Sequence, residues 1–270
     1  MHHWQKNLPS RLKGTVFLGT RLARTAVEPV PEGFFEDVRS ALGLGELFVR
    51  QNVLNGIETS LDKADALIRK EQPGLAFMAA PGNPWEDIYK AVFWQAASRG
   101  INAGHDDPNW RRHRETMFGV HTQQALTRAF PNLSPEDRGK AFNLNRLWTE
   151  ERRNWSAACM GAMAVVRVAK ALAGMGLEPI LPTAEIDARY RVDLLAESPT
   201  DTDWLLCLQI KSDQREPVSS VRSLLPGNVP TTEETKDIRT IREWMRRFVT
   251  LALRPVVPAL VCVGRDGLAP

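Results

Sequence analysis

Cysteine is scarce in this chain, and its arrangement suits neither a metal nor a disulfide. The 270 residues include three cysteines, far apart and in apolar surroundings: Cys159, Cys207 and Cys262. An odd number at such distances has neither the spacing of a zinc site nor that of a disulfide framework. We therefore expect a reduced, cytoplasmic setting.

Signals for secretion, membrane insertion and nucleotide binding are also missing. No apolar stretch follows a basic one near the N-terminus, so we expect no signal peptide. The most apolar long segment, residues 156–176, carries Arg167 and Lys170. Those charges favour a buried helix, so we expect no membrane partner. No stretch combines the glycines, the lysine and the preceding strand of a phosphate-binding loop.

What is present is the composition of an ordinary soluble globular protein. Hydrophobic residues make up 43% of the chain, charged residues 25%, and the formal net charge is +3. These fractions are typical of folded domains. Because so small a charge does not by itself indicate a nucleic-acid partner, the positions of the basic residues have to carry that argument.

Residues 1–145 predict a mostly helical domain. Strong helix breakers separate its segments, and the sequence at 134–137 has a serine N-cap, a proline in the first turn and a carboxylate three residues on. We expect helices at 33–42, 56–70, 85–99, 111–129 and from 136 onward, and one short strand at 15–18. This domain would recognise substrate, bind a partner protein or form a homo-oligomer.

Residues 146–270 predict a second domain, of the α/β (α+β) class. The expected order is a helix at 147–175, strands at 177–181, 190–197 and 204–212, a helix at 231–253 and a strand at 255–264. A helix that crosses between two strands usually makes them parallel neighbours. We therefore expect a mixed four-stranded sheet with a helix packed on each face.

Polar residues interrupt two apolar strands of this sheet. Alternation puts Gln209 and Lys211 on the same side of their strand. If the linker between the strands runs from residue 198 to 204, Asp193 lies opposite Gln209 and Arg191 lies opposite Lys211. A carboxylate, an amide carbonyl and an ammonium group then converge on one face. Charges inside apolar strands cost stability, so we expect these groups to have a function.

This pattern resembles the PD-(D/E)XK nuclease superfamily, in which a strand aspartate is followed by Glu or Gln, any residue and Lys in the next strand. The order helix, three strands, helix, strand is similar to the shared core of that superfamily, and the resemblance covers residues 147–264. It implies a restriction-endonuclease-like αβββαβ fold that hydrolyses phosphodiester bonds with Mg²⁺ (or Mn²⁺). Asp193 and the side-chain oxygen of Gln209 would hold the metal, and Lys211 would stabilise the attacking hydroxide or the charge on phosphorus.

Two positions depart from the superfamily pattern. Gln209 stands where glutamate is commoner, and the first helix has no carboxylate near 165–169, the stretch expected to face Asp193 if Asp193 lies across from Ile180. We take Asp187, with Glu185 beside it, as the substitute, because it resembles an acidic pair before the strand aspartate in some bacterial nuclease-like families. The other interpretation of this pair is a solvated turn with capping carboxylates.

The expected function is therefore a metal-dependent endonuclease acting on DNA in preference to RNA, in defence, mobile-element biology or repair. Basic residues of the helix at 231–253, and a cluster at 110–114, suit contact with a phosphate backbone. Two alternatives stay open. One is a non-catalytic nucleic-acid-binding or assembly module with the same fold, and the other is a ribonuclease such as a toxin.

Overall fold

The computed structural model describes residues 20–21, 34, 38, 41–45, 47, 83–100, 108–144, 152–200, 204–212, 219–224, 236–251 and 255–264. The chain separates into two compact units. One unit combines Met1–Ala23 with Met163–Pro270, and the other is Arg24–Ala162. The domain boundary placed at residue 145 from the sequence stays a prediction.

The described secondary-structure elements of the second unit are all helical. Its helices are α1 (Pro84–Gly100), α2 (Pro108–Ala129) and α3 (Pro135–Asn143), with a 3-10 turn at Phe130–Asn132. Residues 34, 38, 41–45 and 47 are helical too, whereas the helix predicted at 56–70 and the strand predicted at 15–18 lie outside the described residues. α3 begins as predicted, since the Asp137 amide donates to the Ser134 hydroxyl at 3.1 Å.

Aromatic side chains fill the contact between α1 and α2. Trp94 of α1 stacks on the imidazole of His121 of α2, with ring centroids 4.6 Å apart. Burial, with a smaller effect of the charge on Arg128, lowers the pKa of His121 to about 4. The ring is therefore neutral at physiological pH, as its apolar surroundings require.

The longest of the described helices, α4 (Arg152–Gly174), connects the two units along the chain. Its segment Asn154–Gly174 is long and apolar enough to cross a membrane by length and composition alone, with a mean hydropathy of 1.5. The helix also makes contacts inside the protein, because the indole nitrogen of Trp155 donates to the carbonyl of Ala141 at 3.0 Å. α4 is closed by Gly176, whose φ of 82° is the left-handed conformation that a glycine C-cap supplies.

The first unit contains a mixed sheet. Its strands are β1 (Thr20–Arg21), β2 (Glu178–Leu181), β3 (Leu194–Glu197), β4 (Leu205–Ser212), β5 (Ser220–Ser223) and β6 (Val256–Val263). They lie in the order β1-β2-β3-β4-β6-β5. β2, β3 and β4 are antiparallel neighbours, and β4 is parallel to β6, as predicted. The count of four strands is wrong, because β1 and β5 extend the two edges.

Two helices accompany the sheet, α5 (Ala184–Tyr190) and α6 (Lys236–Leu251). α5 was not predicted, and it occupies the start of the segment expected to be a strand from residue 190. The Thr183 hydroxyl accepts from the Ile186 amide at 3.4 Å and begins the helix. Tyr190 ends it, so β3 starts only at Leu194.

One side of the sheet is covered by α5 and α6. The buried cluster there combines residues of both helices with residues of β3, β4 and β6, among them Ile186, Tyr190, Leu195, Cys207, Ile241, Met245, Phe248 and Leu260. Ile241, Met245 and Phe248 form the face of α6 that packs in this cluster. Cys207, Gln209 and Lys211 occupy every second position of β4. Gln209 and Lys211 therefore lie on the same side of the sheet as Cys207 and this cluster.

Candidate active site

The pairing of β3 with β4 sets the geometry of the candidate site. Leu194 pairs with Leu208 and Leu195 with Cys207, which is the register predicted from the linker length. The amide of Asp193 still donates to the carbonyl of Leu208, at 2.8 Å. The strand pairing ends there, so the predicted cross-strand pairing of Arg191 with Lys211 is wrong. Arg191 is instead the left-handed residue that closes α5.

The side chain of Asp193 turns toward β4. Its Oδ2 accepts a hydrogen bond from Nε2 of Gln209 and another from the amide of Ile210, the latter at 2.5 Å. The Ile210 amide would donate to a main-chain carbonyl if the strand pairing continued, and here it donates to the Asp193 carboxylate instead. Asp193 is 7% exposed and Gln209 is 4% exposed, so the contact is closed to bulk water.

Burial dominates the electrostatics of this carboxylate. It raises the pKa of Asp193 to about 6, against the lowering effects of the Ile210 amide and of the charges on Lys211 and Arg191. Desolvation disfavours the charged form, while donors and cations favour it. At neutral pH Asp193 is therefore ionised, which costs folding free energy. The charges on Lys211 and Arg191 offset part of that cost.

The amide of Gln209 is only half satisfied. Its nitrogen donates to Asp193, while its Oε1 is buried and has no hydrogen-bond partner within the described part of the chain. A buried acceptor without a partner costs about 1–3 kcal/mol, so such atoms call for an explanation. A cation that binds this oxygen is one explanation.

The donor set is compatible with a hard divalent cation. Mg²⁺ takes oxygen ligands, often one or two protein groups together with water and substrate phosphate, and Asp193 and Gln209 offer a carboxylate and an amide oxygen. For both residues to face one ion, the Gln209 amide has to rotate, because its nitrogen now faces Asp193. Within the described residues, no group of three or more His, Cys, Asp or Glu is placed to hold a metal.

The other two predicted site residues, Lys211 and Asp187, belong to β4 and α5. Lys211 is exposed, two positions beyond Gln209 on β4. Asp187 is buried in α5, and its main-chain carbonyl accepts from the Arg191 amide at 2.8 Å. Asp187 is helical and therefore not part of the strand segment that leads to Asp193. Its assisting role stays a prediction.

The carboxylate that superfamily members often have on the first helix of the core has no counterpart on α4. α4 contains neither aspartate nor glutamate along its entire length. The predicted position of Asp193 across from Ile180 is wrong, since Ile180 pairs with Leu195. The offset shifts the expected contact along α4 by a few residues, and no carboxylate lies there either.

Basic residues occur along α6 as well. Arg239 and Arg246 are exposed, whereas Arg247 pairs with Glu243 at 2.8 Å and lies over the ring of Trp244. The side chains of the cluster at 110–114 lie outside the described part of the structure. α6 therefore presents positive charge on the unit that contains the site.

No family model, characterised protein or solved structure matches this chain. The contacts of Asp193, Gln209 and Lys211 are therefore the basis for a functional assignment. Sequence reasoning missed Arg191 as a residue with a special conformation, because the usual signal for a left-handed helix end is a glycine or an asparagine.

Proposed function

We propose that this protein is a metal-dependent nuclease that hydrolyses phosphodiester bonds in DNA. The observation that carries the proposal is the buried contact between Asp193 and Gln209 beside the exposed Lys211. Gln209 and Lys211 belong to β4 and Asp193 immediately precedes β3, and the other side chains of these two strands are almost all apolar. The order of Asp193 before one strand and of Gln209 and Lys211 on the next supports the proposed resemblance to the PD-(D/E)XK superfamily.

The energetics of Asp193 support a functional role. Its pKa of about 6 means that the folded protein maintains a charge it would be more stable without. An asparagine would accept the same two hydrogen bonds with no charge to desolvate. Strongly perturbed carboxylates at such positions are typical of catalytic and metal-binding sites.

Each residue has a role that follows from its chemistry. Asp193 and Gln209 would hold Mg²⁺ (or Mn²⁺), which when bound polarises the phosphate and lowers the pKa of bound water. Lys211 is exposed at the strand end and offers three N–H donors to the attacking oxygen or to the phosphoryl oxygens. Asp187 would assist from α5.

The topology supports the proposed restriction-endonuclease-like core. The chain runs from α4 through β2, β3 and β4 to α6 and β6, with β4 and β6 parallel. α5 and β5 are additions to that order. The exposed Arg239 and Arg246 support a polyanionic partner, and the helical unit would then serve in recognition, partner binding or oligomerisation.

The test compares four proteins: wild type, Lys211→Ala, Asp193→Asn and the matched control Lys170→Ala. Lys170 is an exposed lysine of α4 and belongs to none of the strands that carry the proposed site residues. Each is incubated with labelled duplex DNA, single-stranded DNA and RNA, in Mg²⁺, Mn²⁺ or a chelator. We expect metal-dependent cleavage of DNA by wild type and Lys170→Ala, and none by the other two variants. Equal cleavage by all four proteins would mean a contaminating nuclease and would contradict the proposal.

A second candidate is a nucleic-acid-binding or assembly module with the same fold. Two observations favour it: Gln209 is a neutral ligand, and α4 lacks a carboxylate. It predicts no cleavage by wild type under any condition, and binding that weakens with salt whether or not metal is present. Cleavage confined to RNA would instead indicate a ribonuclease. A cytoplasmic location stays a prediction.

A further inference from the structure

Arg191 adopts a conformation that arginine rarely takes. Its φ of 58° and ψ of 45° are left-handed, and it is the one non-glycine residue with positive φ among those described. Such a conformation brings Cβ close to the following carbonyl, which is why glycine or asparagine usually occupies this position at a helix end. Here the position closes α5, since the Arg191 amide donates to the carbonyl of Asp187.

The closure of α5 does not explain the long charged side chain. The capping hydrogen bond comes from the main chain, and a glycine would make it with less strain. The guanidinium is exposed, and none of the described acidic residues forms an ion pair with it. The neighbouring Arg189 differs, because its guanidinium lies over the ring of Tyr190, 5.8 Å from the centroid. Arg189 is therefore attached to the fold, while Arg191 is turned to solvent.

Arg191 is also next to the site. It precedes Asp193 by two residues, and its charge and that of Lys211 both lower the pKa of the Asp193 carboxyl. The two cations lie on different elements that flank the buried contact. Arg191 is in the connection between α5 and β3, and Lys211 is at the end of β4, two residues after Gln209, whose side chain bonds Asp193. Both are exposed, so a ligand larger than an ion can reach them.

We propose that Arg191 and Lys211 form a clamp that binds one backbone phosphate of a polynucleotide. Arg191 would hold the nucleic-acid strand next to Asp193 and Gln209. The inference rests on the proposed function and names a binding residue for it. The planar guanidinium matches two phosphate oxygens at once, whereas a lysine ammonium acts as a point charge. The strained main chain is then maintained for the placement of this group.

Because the main-chain conformation of Arg191 is strained, replacing Arg191 by glycine should raise the stability of the protein while it weakens binding to DNA. The variants are Arg191→Gly, Arg191→Gln and the control Arg189→Gln, which removes the same charge two residues away. Affinity for labelled duplex DNA is measured in chelator at several salt concentrations, alongside the melting temperature of each protein. Cleavage in Mg²⁺ is measured separately.

We expect Arg191→Gly to melt at or above the wild-type temperature and to bind DNA roughly tenfold more weakly, the loss of one charge-assisted pair of hydrogen bonds. The salt dependence of binding should fall by about one phosphate contact. Arg191→Gln should weaken binding similarly. Arg189→Gln should stay within about twofold of wild type, because exposed charges away from the contact are screened.

Several results would overturn the clamp. Wild-type affinity in both Arg191 variants, with cleavage intact, would reject the clamp and leave the nuclease standing. Equal weakening by Arg189→Gln would mean a general charge effect. No binding of any nucleic acid by wild type would reject both proposals. Weakened binding in the Arg191 variants of a protein that never cleaves would support the clamp and reject the nuclease.

Discussion

Replacing Asp193 by asparagine removes the charge that the fold buries between β3 and β4, and the effect on stability should depend on pH. The pKa of Asp193 rises from 3.8 to about 6 on folding. Each pKa unit corresponds to about 1.4 kcal/mol, so the ionised carboxylate costs about 3 kcal/mol. The bond from Ile210 is already included in this pKa, but a neutral acceptor also forms a weaker hydrogen bond with Gln209, which offsets about 1 kcal/mol or more of the gain. Above pH 6 the variant should be more stable by about 1–2 kcal/mol.

The sign follows from the direction of the change. Because the pKa is higher in the folded protein, the folded state binds the proton more tightly. That stabilisation is complete below a pH of about 4 and is lost as pH rises through about 6. Asp193→Asn lacks this dependence, so its advantage over wild type should appear between these values and then level off. Near pH 4 it should be no more stable than wild type.

The assay is urea unfolding followed by tryptophan fluorescence, for both proteins at a series of pH values from about 4 to about 8. Asp137→Asn is the control of opposite sign: the hydrogen bond from Lys140, aided by that from Ser134, lowers the pKa of Asp137. Its carboxylate stabilises the fold above the unfolded pKa, so that variant should lose stability at neutral pH and approach wild type in acid. An Asp193→Asn effect that is destabilising at every pH, or independent of pH, would refute the reasoning.

Three further predictions concern stability and accessibility. Ser134→Ala removes the cap of α3 and should lower the free energy of unfolding by about 1 kcal/mol, whereas Ser134→Asn should retain most of it. Met245→Ala leaves a cavity under α6 and should cost about 2–5 kcal/mol; a loss under 1 kcal/mol would contradict the packing. Burial raises the pKa values of the Cys159 and Cys207 thiols, so neither should react with a thiol reagent until the protein unfolds, as mass spectrometry of labelled peptides would test.

The central sheet could be predicted because its strands carry strong local signals. β4 and β6 are apolar runs, and a turn-rich linker of hairpin length fixes the register of β3 with β4. The crossover helix between them made the parallel pairing of β4 and β6 the expected one. These features depend on sequence spacing, which is visible without tertiary contacts.

The elements that were missed depend on tertiary contacts. α5 is seven residues long, and the strand pattern that follows it extends back over Tyr190 and Arg191. Its helical form is favoured by the burial of Ile186 and Tyr190, four residues apart, against α6. β5 has a single apolar side chain in four residues, and its pairing with β6 is what makes it a strand.

The candidate site was predictable in its members but not in its detail. Strand parity brings Asp193 and Gln209 together, and the structure has them in contact. The orientation of the amide and the bond from Ile210 depend on where the strand pairing stops, which is just after the left-handed Arg191. No residue in 190–193 signals this stop, because arginine has no preference for such a conformation.

The edge strand β1 has a consequence for the order of folding. Thr20 and Arg21 pair with Leu181 and Ile180, so the outermost strand of the sheet is made early in synthesis and its neighbour is made late. During synthesis the helical unit can fold before β2 is available to pair with β1. Closing so long a loop carries an entropic cost, so β1 should join last. A fragment that begins after the helical unit would leave β2 as an open edge, which invites pairing between chains.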